Sequence, residues 1–388
     1  MPDRLAAEPW GLLPDGSRAT LFTLRNAHGT TVQVSDFGAL LVSIRTKDRH
    51  GDFEEITRGT QRCADYHHNP ACFGALVGRV ANRIGHGRFT LDGQTYQVAC
   101  NNGSHHIHGG AHGFHQHRWS AEPFETPTTS GVVLTRVSPN GEEGYPGALA
   151  VTATYTLTDD DALTLDLHAT TDAPTLVNLT QHTYFNLDGP DADVREHRLT
   201  VHADAFLPTD ATYLPTGEIR PVAGTPFDLR SPTRLGDRLT PDMIAADPQL
   251  TAANGYDHNY VLGMTPTATP ELAAEVAAPT SGRTLAVWTT EPGIQVFTGH
   301  GPHAALALET QHFPDAPNQP RKKLKFCMIK NEKKSSKKGT KKSTQPRTCF
   351  KFEVLHEKLK HVRGWVLFLV PFLDLFFHFL SCKISVFC

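Results

Sequence analysis

The sequence predicts an all-β fold, a large antiparallel β-sandwich, and three observations carry that prediction. Many short runs alternate apolar and polar residues, Gly, Pro, Asn and Asp punctuate them, and capped helical periodicity is nearly missing. In chain order, TVQVSDFGALLVSIRT (31–46) and GRFTLDGQTYQVA (87–99) supply the first half-buried strands. ALAVTATYTL (148–157) and ALTLDLHATT (162–171) then alternate with period two on either side of the turn residues TDDD, which predicts a hairpin. HRLTVHADAFLPT (197–209) and RTLAVWTTEPGIQVFTG (283–299) extend the pattern, and a short piece near Leu235 to Ile244 is the one helical stretch. No linker-like break precedes Pro320, so residues 1–320 are expected to form a single domain.

Composition narrows the class without naming a partner. A 388-residue chain with net charge −3 and 39% hydrophobic residues describes a globular protein with no overall basic bias toward nucleic acid. The seven cysteines form no CxxC pair, and MPDRLAAEPWGLLPDGS lacks the apolar core of a secretory leader. A reducing, cytoplasmic setting is expected.

One boundary is abrupt. Lys47 is the only lysine before residue 321, and fourteen follow it. After the basic block comes WVLFLVPFLDLFFHFL, Trp365 to Leu380, interrupted by Pro371, Asp374 and His378. It is shorter than the roughly 20 residues a spanning helix needs, so no membrane anchor is expected. The change in residue usage reads as foreign or out-of-frame coding, which places residues 321–388 outside the expected domain.

Several polar residues sit oddly on this scaffold. VGRVANRIG places Asn82 and Arg83 among apolar neighbours, where the arginine either pairs with a carboxylate or holds a ligand oxygen. His182 lies in TLVNLTQHTYFNLDG, and Asp257 stands beside aromatics in NGYDHNYVLG, where it equally suits a turn cap. Glu309 is embedded in the apolar run ALALETQHF, and a carboxylate so placed is costly unless it is paired or used. NNGSHHIHGGAHGFHQH holds six histidines. It shows no zinc-ligand spacing, so no metal is expected. The Gly109-Gly110 pair predicts a tight backbone bend at His108, and the other five histidines read as exposed loop residues.

The runs GRVANRI, IHGG, SPNGEEGYPG, VNLTQHTYFNLDG, GYDHNYVLG, TTEPGIQVFTG and LETQHFPDAPNQP stand in the order seen in the galactose mutarotase (aldose 1-epimerase) family, which residues 8–320 resemble. The resemblance implies a cofactor-free enzyme acting on a monosaccharide; a monomer or weak dimer is expected. It makes Glu309 the general base and His182 the general acid, with His108, Asn82, Arg83, Asp257 and Gln295 binding the sugar. Ordinary pKa values of about 4.3 and 6.5 would make a carboxylate and an imidazolium accessible together near neutral pH. Tyr184, Phe185 and Tyr256 suit either an apolar wall for the sugar or plain core.

Two departures are mild: Gln181 stands where asparagine is usual, and Ile107 where leucine is. The third is larger, because RKKLKF begins where the family continues to a last strand. An unpaired sheet edge near Glu309 is the expected result. Two alternatives use the same scaffold. One is a non-catalytic sugar binder; the other is a hexose-6-phosphate epimerase, for which Arg220, Arg230 and Arg234 are the available basic residues.

Overall fold

The computed structural model describes residues 3–299, 305–319, 328–329 and 347–356. Three sheets of five or more strands dominate it, with three short helices at Leu235–Arg238, Pro241–Ala246 and Pro248–Ala253 among the described residues. The largest is antiparallel and nine-stranded. Its order is Ser120–Glu125, Thr129–Ser138, Leu149–Thr158, Ala162–Thr171, Arg347–His356, Arg283–Thr289, Glu271–Ala277, Arg198–Val201 and Thr233–Arg234.

Its central hairpin shows why the alternation was readable. Val151 pairs with Ala169, Ala153 with Leu167, Tyr155 with Leu165 and Leu157 with Leu163, and all eight are buried. The intervening threonines face outward, as a period-two strand demands. Each large apolar side chain buried this way contributes about 1.5–3 kcal/mol.

A six-stranded sheet runs Tyr184–Phe185, Leu306–Gln311, Gly293–Phe297, Asp257–Val261, Ala205–Leu207 and Arg220–Pro221. A five-stranded N-terminal sheet runs from Leu5–Leu12 to Phe53–Glu55 in chain order. One continuous core unites them: Leu24 and Val32 from the N-terminal sheet, Leu165 and Leu285 from the large one, Ile294 and Leu308 from the six-stranded one. Every residue of Leu306–Gln311 is buried, which places Glu309 deep in the protein.

Two short pieces beyond residue 320 pair with strands of the domain. Arg347–His356 lies between Ala162–Thr171 and Arg283–Thr289, with seven residue pairs on each side. Met328–Ile329 pairs with Thr175–Leu176. Part of the tail therefore enters the sheets, and no open edge is left between those two strands. Ladder hydrogen bonds use the backbone N–H and C=O that every residue except proline carries in full, so RTCFKFEVLH serves despite the change in residue usage. The lysine block and the apolar stretch Trp365 to Leu380 fall outside the described residues. Among the described residues, no helix is long and apolar enough to cross a membrane.

Candidate active site

A cleft of about 820 Å³ opens where the short strands around residues 75–84 and 180–185 meet the six-stranded sheet. Asn82, Arg83, His108, His182, Asp257 and Glu309 all line it.

The bend at His108 is built by close backbone contact. His108 has φ 52°, followed by Gly109 at 82° and Gly110 at 106°. A Cβ on Gly109 would lie 1.8 Å from the Gly78 carbonyl oxygen, so glycine is required there. His106 anchors the preceding strand through Nδ1 to the Ala99 carbonyl and Nε2 to the Tyr145 hydroxyl, both at 2.7 Å. Ile107 pairs with Arg83, which brings Asn82 against His108. The Asn82 N–H donates to His108 Nδ1 at 3.3 Å. An accepting Nδ1 on a neutral ring puts the proton on Nε2 and makes that nitrogen a donor.

Arg83 is held by Asn102 and Tyr213, neither of which stood out in the sequence. Its Nε donates to Asn102 Oδ1 at 3.3 Å, and its guanidinium lies 4.9 Å from the Tyr213 ring centre. Asp257 begins the Asp257–Val261 strand and accepts from Gln295 Nε2 at 2.6 Å. Gln295 is buried and does not line the cleft, so it acts on the cleft through Asp257. Tyr184 lines the cleft and stacks on His182 at 4.8 Å. Phe185 and Tyr256 are core residues.

His182 and Glu309 come from different strands, and their facing atoms, Nε2 and Oε1, are 3.5 Å apart. Exposures of 5% and 2% make this a buried acid/base pair. Burial and then the Asp257 charge push Glu309 up to about 8, against a lowering influence from Arg83. Burial pulls His182 down to about 4. Both directions follow from the cost of charge in a poorly solvated site. Burial thus opposes the expected pairing of carboxylate and imidazolium and favours a protonated Glu309 beside a neutral His182.

The histidine loop also differs from expectation. His105, His106 and His115 are buried, and His115 lines the cleft. Adjacent histidines in a turn-rich run carry no periodicity, so their burial was not legible. Among the described residues, the set with metal-ligand potential is His108, His182 and Glu309, whose donor atoms lie within 4.8 Å of one another. The Asn82 N–H occupies the His108 Nδ1 lone pair, and the tautomer it favours carries its proton on Nε2, which leaves a neutral His108 ring poorly suited to bind a metal.

Known proteins similar to this chain point to one family. The family model described as aldose 1-epimerase matches residues 20–341. The galactose mutarotase of Sus scrofa is 40% identical over 326 residues, covering 80% of this chain and 91% of that protein. The aldose 1-epimerase of Escherichia coli (strain K12) is 36% identical, covering 82% and 93%. The crystal structure of galactose 1-epimerase from Lactobacillus acidophilus NCFM superposes with a TM-score of 0.75 at 27% identity, covering 90% and 98% of the two chains. An aldose epimerase homologue from C. elegans gives 0.74 at 28% identity, covering 87% and 99%.

Proposed function

The chain belongs to the aldose 1-epimerase family and is an isomerase of that type, and from that premise we propose that Glu309 and His182 carry its reaction on a free aldose, galactose or glucose. The single observation that supports this most is the buried His182–Glu309 pair facing the cleft at 3.5 Å.

Interconverting two anomers requires a proton to leave the C1 hydroxyl and another to reach the ring oxygen. Glu309 takes the first as the C1–O5 bond breaks and C1 becomes a carbonyl, and His182 supplies the second. The C1–C2 bond rotates, and the two groups exchange protons in reverse to close the ring on its other face. After ring opening Glu309 is protonated and His182 neutral, the arrangement that burial favours. The reactive arrangement contains the same single proton, moved from Glu309 to His182. Sugar hydroxyls donating to the carboxylate, with Arg83 nearby, favour that transfer. Positioned acid and base groups each contribute about 10²- to 10⁴-fold.

Recognition uses complementary polar groups. A pyranose hydroxyl both donates and accepts, so Arg83, Asn82 and the His108 Nε2–H serve as donors and Asp257 as acceptor. Gln295 orients Asp257. Tyr184 offers its apolar face. All these residues come from one chain, so a monomer suffices.

Two observations weigh against the alternatives. Arg220 pairs with Glu218, Arg230 with Asp204 and Asp228, and Arg234 with Glu196 and Asp237, so these cations are engaged at the surface rather than assembled for a sugar phosphate. A mere binder gains nothing from a buried acid/base pair, because desolvating it costs free energy. The cysteines Cys63, Cys72 and Cys100 are free, which suits a reducing cytoplasm.

Polarimetry on freshly dissolved α-D-galactose, α-D-glucose and glucose 6-phosphate tests the substrate class. The rotation of at least one free sugar should relax faster than in buffer, with little effect on the phosphate. A preference for the phosphate, or no acceleration by folded protein, would overturn the proposal.

A further inference from the structure

The sheet face that carries Glu309 continues as a row of neutral amides, of which Asn259 and Gln311 have no role in the chemistry above. Asn259 opposes Gln295, and Gln295 opposes Glu309, across the Asp257–Val261, Gly293–Phe297 and Leu306–Gln311 strands. Gln311 is the next residue on the same face beyond Glu309 and sits opposite Gly293. A Cβ on Gly293 would lie 2.5 Å from Asn259 Oδ1. The missing side chain therefore lets the Asn259 amide lean across Gly293, toward the row that holds Gln311.

Asn259 is 2% exposed and Gln311 0%. Both polar atoms of each amide have no hydrogen-bond partner among the described residues, and the same holds for Gln295 Oε1 and Glu309 Oε2. Native interiors leave few such atoms unsatisfied, and neighbouring buried polar atoms without protein partners are commonly satisfied by ordered water.

We propose that Asn259 and Gln311 are positioning residues for the base: they hold ordered water behind Glu309 and through it donate hydrogen bonds to Glu309 Oε2. The inference rests on Glu309 acting as the base. The carboxylate is otherwise faced by His182, Tyr184, Cys72, His108, Arg83 and Asp257, and of the two charged groups acting on it, Arg83 alone favours ionisation. Neutral amides suit a group that gains and loses a proton in each cycle. An amide both donates and accepts, so water between it and the carboxyl can reorient as the proton moves. A fixed cation in their place would bind the carboxylate in one state only.

The test replaces the amides at nearly constant volume, as Gln311→Met and Asn259→Leu, and follows kcat and kcat/KM for α-D-galactose against pH. Losing donors that favour the carboxylate should raise its proton affinity. The alkaline limb, where the pair loses its single proton, should move up by about one pH unit, and plateau kcat should fall about tenfold, with KM within about twofold. Gln311→Asn, which keeps an amide, should recover most of both effects. An unmoved limb, with kcat and Tm falling together, would make the residues ordinary packing and overturn the proposal. Should the apolar variants not fold, the wild-type crystal structure decides: water linking either amide to Glu309 Oε2 supports the inference, and amides paired only with protein groups refute it. Glu309→Gln separates the two levels. If it is inactive while the limb stays fixed, only the water link fails; if it stays active, the base assignment fails too.

Discussion

Glu309→Gln should make the folded protein more stable at alkaline pH while it disables catalysis. Burial raises the Glu309 pKa from 4.5 to about 8, so the folded state binds this proton more tightly than the unfolded chain does. Its contribution to stability is fully present below about 4.5 and is lost as pH rises through about 8. At about 1.4 kcal/mol per pH unit, the loss is capped near ~5 kcal/mol. Glutamine keeps the shape and cannot ionise, so it escapes that loss. A domain of this size gains at most about 2–4 °C in Tm per kcal/mol, which predicts a rise on the order of 5 °C or more at pH 9 and little change at pH 5. Scanning calorimetry of both proteins at the two pH values measures the difference. An equal Tm offset at pH 5 and pH 9 would show that Glu309 is not held protonated by its surroundings, and the electrostatic reasoning would fail.

Three further outcomes follow from the same structure. kcat/KM should be bell-shaped, with limbs near 4 and 8, because one proton must be shared by His182 and Glu309; a rate still rising above pH 9 would exclude this. Gly109→Ala should lower Tm sharply and raise KM, since its Cβ would sit 1.8 Å from the Gly78 carbonyl; thermal melts and substrate saturation report both, and a near-native protein would refute the assigned bend. Ending the chain after residue 346 removes the strand between Ala162–Thr171 and Arg283–Thr289 and should give a less stable, aggregation-prone protein; an unchanged Tm would show that this strand does not complete the sheet.

How much was legible depended on whether a feature is local. The hairpin of Leu149–Thr158 and Ala162–Thr171 was readable because one buried face imposes period-two alternation on each strand. Glu309 stood out because a carboxylate in an apolar run needs a reason. His108 was marked by the glycines that permit its bend, whereas His182 needed the family motif. What distant strands bring together was not readable. Gln295 lies behind Asp257, Asn102 and Tyr213 hold Arg83, and burial shifts Glu309 and His182 away from their ordinary protonation. The pairing of Arg347–His356 was not readable because residue usage carries no information on a ladder, which needs only backbone groups and an open place between two strands.

The most direct test compares wild-type protein with Glu309→Gln by polarimetry of α-D-galactose at pH 6.5, with sugar affinity measured separately by calorimetry. The account predicts a rate loss of about 10²- to 10⁴-fold with affinity within about tenfold, because Glu309 moves the proton and Arg83, Asn82, His108 and Asp257 hold the sugar. A variant that keeps most of its rate would contradict the account at its centre.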